Sequence, residues 1–286
     1  MEHIRQAVDR AKEATATNTR QQEVTGLGGW VPQFPPNAGA TAGVAQAWGS
    51  EVVLNGAHLE SKRIISHDIT DPRSKSFDML RTPVLQSMDM KSWQLLGITS
   101  PTSGCGKSVV AINLALSIVR QRERSVLLVD MDLQKPQIAS NLGLKCNQGL
   151  MSVLEGRTNL SSAIVKAGIR NQNFFVLPCE KPTLGSSAWI ASREMSAILQ
   201  EIRQNFRTSI VILDLPPILM SDDVISILPQ IDCVLFVAAV GTSTISEIKD
   251  CNRHLDSTSI VRVVLNKASD VPTTYYSRYA EESASQ

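Results

Sequence analysis

The run S-P-T-S-G-C-G-K-S over residues 100–108 sets Gly104, Gly106, Lys107 and Ser108 almost side by side. Two such glycines let a backbone curl until its N–H groups point inward, and a ring of inward amides binds phosphate oxygens. Lys107 adds a positive charge suited to β- and γ-phosphates, and Ser108 offers a hydroxyl to Mg²⁺. The candidate nucleotide contacts are therefore Ser103, Gly104, Cys105, Gly106, Lys107, Ser108 and Val109. Pro101 stands where the common phosphate-loop pattern has Gly. Cys105 reads as a small side chain that leaves room for phosphate, in preference to a redox switch.

A phosphate loop that uses Mg²⁺ needs carboxylates. The run V-L-L-V-D-M-D closes on Asp130 and Asp132, and V-I-L-D-L-P-P closes on Asp214. A carboxylate that ends a buried strand loses solvation unless it meets a cation. Asp214 is the better magnesium candidate, with Asp130 and Ser108 beside it. Asp130 and Asp132 are candidates for metal binding and proton removal, and Lys107, Asp130, Asp132 and Asp214 together form the expected catalytic set. Helix capping is the plain alternative for Asp132 alone.

Strands and helices must bring these residues together. Apolar runs of strand length occupy residues 94–99, 125–130, 173–178, 210–216, 232–240 and 261–266. Helical spacing appears over 107–120, 191–206 and 243–255. Alternation of this kind predicts an α/β fold, a mostly parallel doubly wound sheet of the P-loop NTPase type with helices on both faces. In such folds the functional residues gather at the carboxyl ends of strands, where these motifs fall. Residues 1–22 carry Ile4, Ala7, Val8 and Ala11 at helical spacing, and 23–58 have a Gly-, Ala- and Pro-rich linker composition in which Trp30 and Phe34 read as packing anchors. The division expected is an extension and linker over 1–73, a P-loop domain over 74–270 and a tail over 271–286.

The bulk composition excludes several classes of function. Lys and Arg number 28 against 27 Asp and Glu, which gives no electrostatic footprint for nucleic acid. Five cysteines at wide spacings form no zinc pattern and suit a reducing cytoplasm. No apolar run reaches membrane-spanning length, and the N-terminus lacks a signal-peptide core.

The set GITSPTSGCGKS, LLVDMDLQKP and VILDLPP resembles the Walker A, A′ and B motifs of bacterial tyrosine autokinases, the capsule and exopolysaccharide kinases related in fold to MinD and ParA ATPases. The resemblance runs from about Phe77 to the C-terminus. It implies ATP and Mg²⁺ as cofactors and γ-phosphoryl transfer to tyrosine; a nearby carboxylate can accept the hydroxyl proton, Asp132 first and Asp130 next. Only three tyrosines occur, Tyr275, Tyr276 and Tyr279, and the resemblance makes them phosphoacceptors between self-associating subunits. It also implies a cytoplasmic protein held at the membrane by a separate, membrane-anchored chain-length regulator. The chain departs from the family at Gln134, where the family carries Arg. Of the family's assembly motif only Arg81 matches within 75–81, and Pro83 is expected to kink or begin the helix there. The switch ATPases of the MinD and ParA kind carry a lysine at the position of Thr102, which speaks against that rival. At the base-recognition strand end, Ser269 stands where guanine-specific proteins have Asp, so ATP is favoured over GTP and Asn266 is placed to contact adenine.

Overall fold

The chain divides into two units, Met1–Ala45 and Gln46–Gln286. A computed structural model describes residues 49–268 apart from 122, 208 and 257, all in the second unit. The apolar spacing at 1–22, Trp30, Phe34, Ser269 and the three tyrosines lie outside the described residues.

The described residues form an eight-stranded sheet. Its strands are β1 (Glu51–Val53), β2 (Leu95–Thr99), β3 (Ser125–Asp130), β4 (Val165–Ile169), β5 (Gln172–Leu177), β6 (Ser209–Asp214), β7 (Cys233–Ala239) and β8 (Ile260–Asn266). Their order across the sheet is β1-β4-β5-β3-β6-β2-β7-β8. All pairings are parallel except β4 with β5, which is antiparallel.

The continuous apolar runs of the central strands are explained by burial on both faces. Side chains alternate across a strand, so neighbours in sequence enter opposite cores. In β6, Ile210 and Ile212 join one core while Val211 and Leu213 join the other. In β7, Cys233, Leu235 and Val237 separate in the same way from Val234, Phe236 and Ala238. On the first face lie α1 (Gly56–Ser61), α2 (Lys75–Lys91) and α3 (Lys107–Val119), with the short α4 (Ile138–Leu142) beside them. The second face is covered by the short α5 (Leu150–Leu154), α6 (Leu160–Ala163), α7 (Ser186–Ile190) and α9 (Asp223–Ile227), and by the longer α8 (Arg193–Asn205) and α10 (Ile245–Leu255). Ser192 caps α8, and Thr244 with Glu247 forms a capping box on α10.

Two sequence expectations change. The stretch assigned to linker and extension contributes β1, which pairs with β4, and α1, whose Leu59 is fully buried. A three-residue edge strand offers too few positions for its period to emerge from a Gly- and Ala-rich context. Pro83 does not begin the helix: α2 runs through it, with Phe77 and Leu80 before it and Val84, Leu85 and Met88 after it against the first core. β4 was not anticipated; its V-K-A-G-I sequence is short and carries a lysine and a glycine.

Candidate functional site

β2 and β6 are neighbours, and their carboxyl ends fix the loop that follows β2. Thr99 Oγ1 donates to the Pro216 carbonyl at 2.7 Å, and the Leu215 amide donates to the Ile98 carbonyl at 2.9 Å. The chain then turns through Gly104 and Gly106, at φ +82° and +91°, conformations that L side chains rarely adopt. A Cβ on Gly106 would lie 2.3 Å from the Asn266 side-chain nitrogen, so any larger residue would displace that side chain as well as strain φ. The loop runs directly into α3, and glycine-rich backbone leading into a helix N-terminus forms a cradle whose amides can take an anion.

The cradle opens onto a cavity of about 270 Å³ lined by loop residues and by Asp132, Lys135, Gln137 and Asn141. Lys107 Nζ crosses its floor to Asp132 Oδ2 at 2.8 Å, with Asp214 Oδ1 3.9 Å away. Burial pulls the Lys107 pKa down, but Asp214 and Asp132 outweigh it and the net shift is upward. Lys107 is thus a charged lysine held against acids rather than a neutral amine.

The three aspartates differ in their engagements. Asp130 and Asp214 are in register on adjacent strands, and both are fully buried. Burial first, then the Asp214 charge, raises the Asp130 pKa well above the ordinary carboxylate range. Burial also raises that of Asp214, against the lowering effect of Lys107 and the Ser108 hydroxyl. Asp130 Oδ2 accepts from the Gln137 and Ile138 amides at 3.0 and 2.9 Å and so holds the start of α4. Asp130 Oδ1 and both Asp214 oxygens lack a well-formed hydrogen bond. Asp132 is occupied at both oxygens, by Lys107 and by the Lys135 amide at 3.0 Å.

Among the described residues no three His, Cys, Asp or Glu side chains converge on a metal position. The two buried carboxylates of Asp130 and Asp214, beside the Ser108 hydroxyl, offer hard oxygen donors of the kind a divalent cation of the magnesium type takes together with phosphate oxygens and water. Cys105 is 1% exposed and packs into the first core, with its Sγ 3.4 Å from Ser243 Oγ, so its side chain points away from the cradle. The Ser103 amide and hydroxyl both approach Met220 Sδ at 3.4 Å. Asn266 Nδ2 donates to the Cys105 carbonyl at 2.8 Å, locking the strand end to the loop. Gln134 Nε2 reaches Ser186 Oγ and Ser221 Oγ at 3.0 and 3.2 Å. The structure therefore brings Ser103, Gly104, Gly106, Lys107, Ser108, Val109 and Asp132 onto one cavity, with Asp130 and Asp214 beneath it. Lys135, Gln137 and Asn141 were not singled out in the sequence. Lys135 lies inside the quoted D-L-Q-K-P run, whereas α4 is too short for its spacing to mark Asn141. Among the described residues all five cysteines are free, and burial pushes Cys179, Cys233 and Cys251 up to about 12.

The sequence model of the family described as CobQ/CobB/MinD/ParA nucleotide binding domain matches residues 96–284. The chain is 29% identical over 223 residues to a putative tyrosine-protein kinase, EpsB, from Ralstonia nicotianae (strain ATCC BAA-1114 / GMI1000), covering 77% of this chain and 28% of that protein. It is 28% identical over 214 residues to a putative tyrosine-protein kinase, CapB, from Staphylococcus aureus, covering 73% of this chain and 91% of that one. The chain thus spans little more than a quarter of EpsB and most of CapB. The crystal structure of the chimerical protein CapA2B2 superposes with a TM-score of 0.66 at 24% identity, over 77% of this chain and 94% of that one, a likeness of fold. With the family match extending over well more than half of its length and the phosphate loop in place, the chain belongs to the CobQ/CobB/MinD/ParA nucleotide-binding domain family.

Proposed function

We propose that this protein is an ATP- and Mg²⁺-dependent protein-tyrosine kinase serving capsule or exopolysaccharide synthesis, with its own Tyr275, Tyr276 and Tyr279 as acceptors. The observation that carries this reading is the contact of Lys107 with Asp132 and Asp214 at the floor of a phosphate cradle. The similarity to proteins named as tyrosine kinases supports it. The triphosphate lies on the amides from Ser103 to Val109. The base lies in a second, adjoining cavity of about 800 Å³, which shares Gly104, Gly106 and Val109 with the first and carries Asn266 on its wall. Mg²⁺ held by Ser108, Asp214 and Asp130 would neutralise charge on the β- and γ-phosphates.

Lys107 and Asp132 then work as a pair. Without nucleotide, the ammonium occupies Asp132 Oδ2. A bound triphosphate competes for that ammonium, and its departure frees the carboxylate oxygen. Asp132 can then take the proton of a tyrosine hydroxyl as its oxygen bonds to the γ-phosphorus and the bond to the β–γ bridging oxygen breaks. ADP leaves with that electron pair. Within this reading, the kinase domain extends N-terminally of residue 74 to include β1, and 271–286 is the phosphoacceptor tail.

Among the described residues no helix is long and apolar enough to cross a membrane. We place the kinase at the cytoplasmic face of the membrane, held by a membrane-anchored chain-length regulator and working on neighbouring copies of itself. Phosphate transfer settles the reading: protein incubated with labelled ATP and Mg²⁺ should gain phosphotyrosine only at the three tail positions. ATP hydrolysis without phosphotyrosine would favour a nucleotide switch instead.

A further inference from the structure

α3 begins at the phosphate loop, and beyond its first turn its polar residues are Asn113 and Ser117, continued by the C-cap Arg120 at i, i+4 and i+7 as one stripe on a buried helix. Such a stripe must find partners. Asn113 is fully buried and engaged at both ends of its amide. Its Oδ1 accepts from the Ile65 and Ser66 amides at 2.8 and 2.9 Å. Its Nδ2 donates to the Arg63 carbonyl at 3.1 Å and to the Val109 carbonyl at 2.9 Å, inside the first turn of α3. Further along the stripe, Ser117 Oγ donates to Asp78 Oδ1 at 2.6 Å, and Arg120 pairs with the same carboxylate. Arg81 closes this second clamp by donating to Asp78 Oδ1 and to the Ser117 carbonyl.

Two clamps on α3 thus hold the stretch from Arg63 to Arg81, which lies outside the residues matched by the family model. That stretch supplies Arg63, Ile65, Phe77 and Leu80 to the lining of the larger cavity, which Asn266 and Lys267 also line. Arg63, Arg73 and Lys267 are cationic and no lining residue is acidic, a balance that tolerates a polyanion in the adjoining cradle, while Ile65, Phe77 and Leu80 give apolar surface suited to a base. Arg81, the one match to the family's assembly motif, is spent inside the chain on the second clamp.

We infer that residues 63–81 form the second wall of the base cavity, and that Asn113 is a positioning residue for nucleotide. It fixes that wall relative to the loop through the Val109 turn. The inference rests on the ATP reading of the site. Its test compares, on the full chain, the affinity for ATP with that for tripolyphosphate, both with Mg²⁺. Tripolyphosphate needs the cradle and not the wall. Asn113→Ala should weaken ATP about tenfold or more and leave tripolyphosphate within about twofold. Ser76 lines the same cavity and is exposed, so Ser76→Trp should fill the base space and give the same split without disturbing the core. This second variant keeps the inference open to refutation if Asn113→Ala does not fold. Unchanged ATP affinity in Ser76→Trp, or parallel losses for both ligands, overturns the inference alone. A wild-type chain that binds neither ligand overturns the ATP site and the inference together.

Discussion

Asp132 and Asp214 both face Lys107, yet the two carboxylates are set up for different work. Asp132 has both oxygens engaged and is released only when Lys107 moves. Asp132→Asn should therefore leave ATP affinity equal or slightly tighter, because the lysine no longer has an anionic rival. Transfer to tyrosine should slow by about 10²–10⁴-fold. Binding isotherms beside single-turnover phosphorylation separate the two effects, and weakened ATP binding would contradict the role. Asp214 is a buried acid whose pKa is raised by burial. A raised carboxyl pKa means that the folded protein keeps a proton the unfolded chain releases above about pH 4. Unfolding free energy therefore falls as pH rises from there through the raised value. Asp214→Asn removes one such group, so the ligand-free variant should lose less Tm than wild type as pH rises above the ordinary carboxylate range. Parallel Tm slopes in a ligand-free melt would contradict the assignment of burial as the cause.

The elements decide how rigid the cradle is. Gly106 sits at φ +91° with the Asn266 amide where a Cβ would go. Gly106→Ala should therefore cost stability on the order of 1–3 kcal/mol and weaken phosphate binding, because alanine is strained at that φ and its Cβ pushes the Asn266 side chain off the Cys105 carbonyl. Asn266→Ala should instead leave the fold intact and weaken nucleotide, since it frees the Cys105 carbonyl without adding bulk. Thermal melts with a fluorescent nucleotide titration distinguish them, and equal behaviour of the two variants would contradict the latch. Much of this level was legible in the sequence. β3 was bounded to the residue, and β2, β5, β6, β7 and β8 to within two at either end, because doubly buried strands read as unbroken apolar runs. The aspartates closing β3 and β6 were legible for the same reason. Their division of labour was not, since it depends on which oxygens α4 and Lys107 occupy. β1 and β4 escaped because each is short and sits at or beside the sheet edge, where burial imposes little pattern. The Asn113 stripe was visible only as an interruption in an apolar run. The partners of Asn113 outside its own helix lie 47 to 50 positions upstream, beyond any local pattern.

At the scale of the whole molecule, a kinase reading requires the proposed nucleotide site to serve a tyrosine tail that lies outside the described residues. Each phosphate would add about −1.5 to −2 charge to that tail. Phosphorylated chains should then repel one another's acidic sites and associate less than a triple Tyr→Phe variant, as sedimentation would report; equal association would remove the release step. Base preference belongs to this scale as well, and ATP should outcompete GTP because Ser269 lacks the acceptor pair that grips guanine. Transfer itself is the central claim. A Lys107→Met chain with intact tyrosines, mixed with a triple Tyr→Phe chain that keeps its lysine, is supplied with labelled ATP, Mg²⁺ and the candidate membrane partner. The account predicts labelled phosphate on Tyr275, Tyr276 or Tyr279 of the Lys107→Met chain, and hydrolysis of ATP with no label on either chain would contradict it.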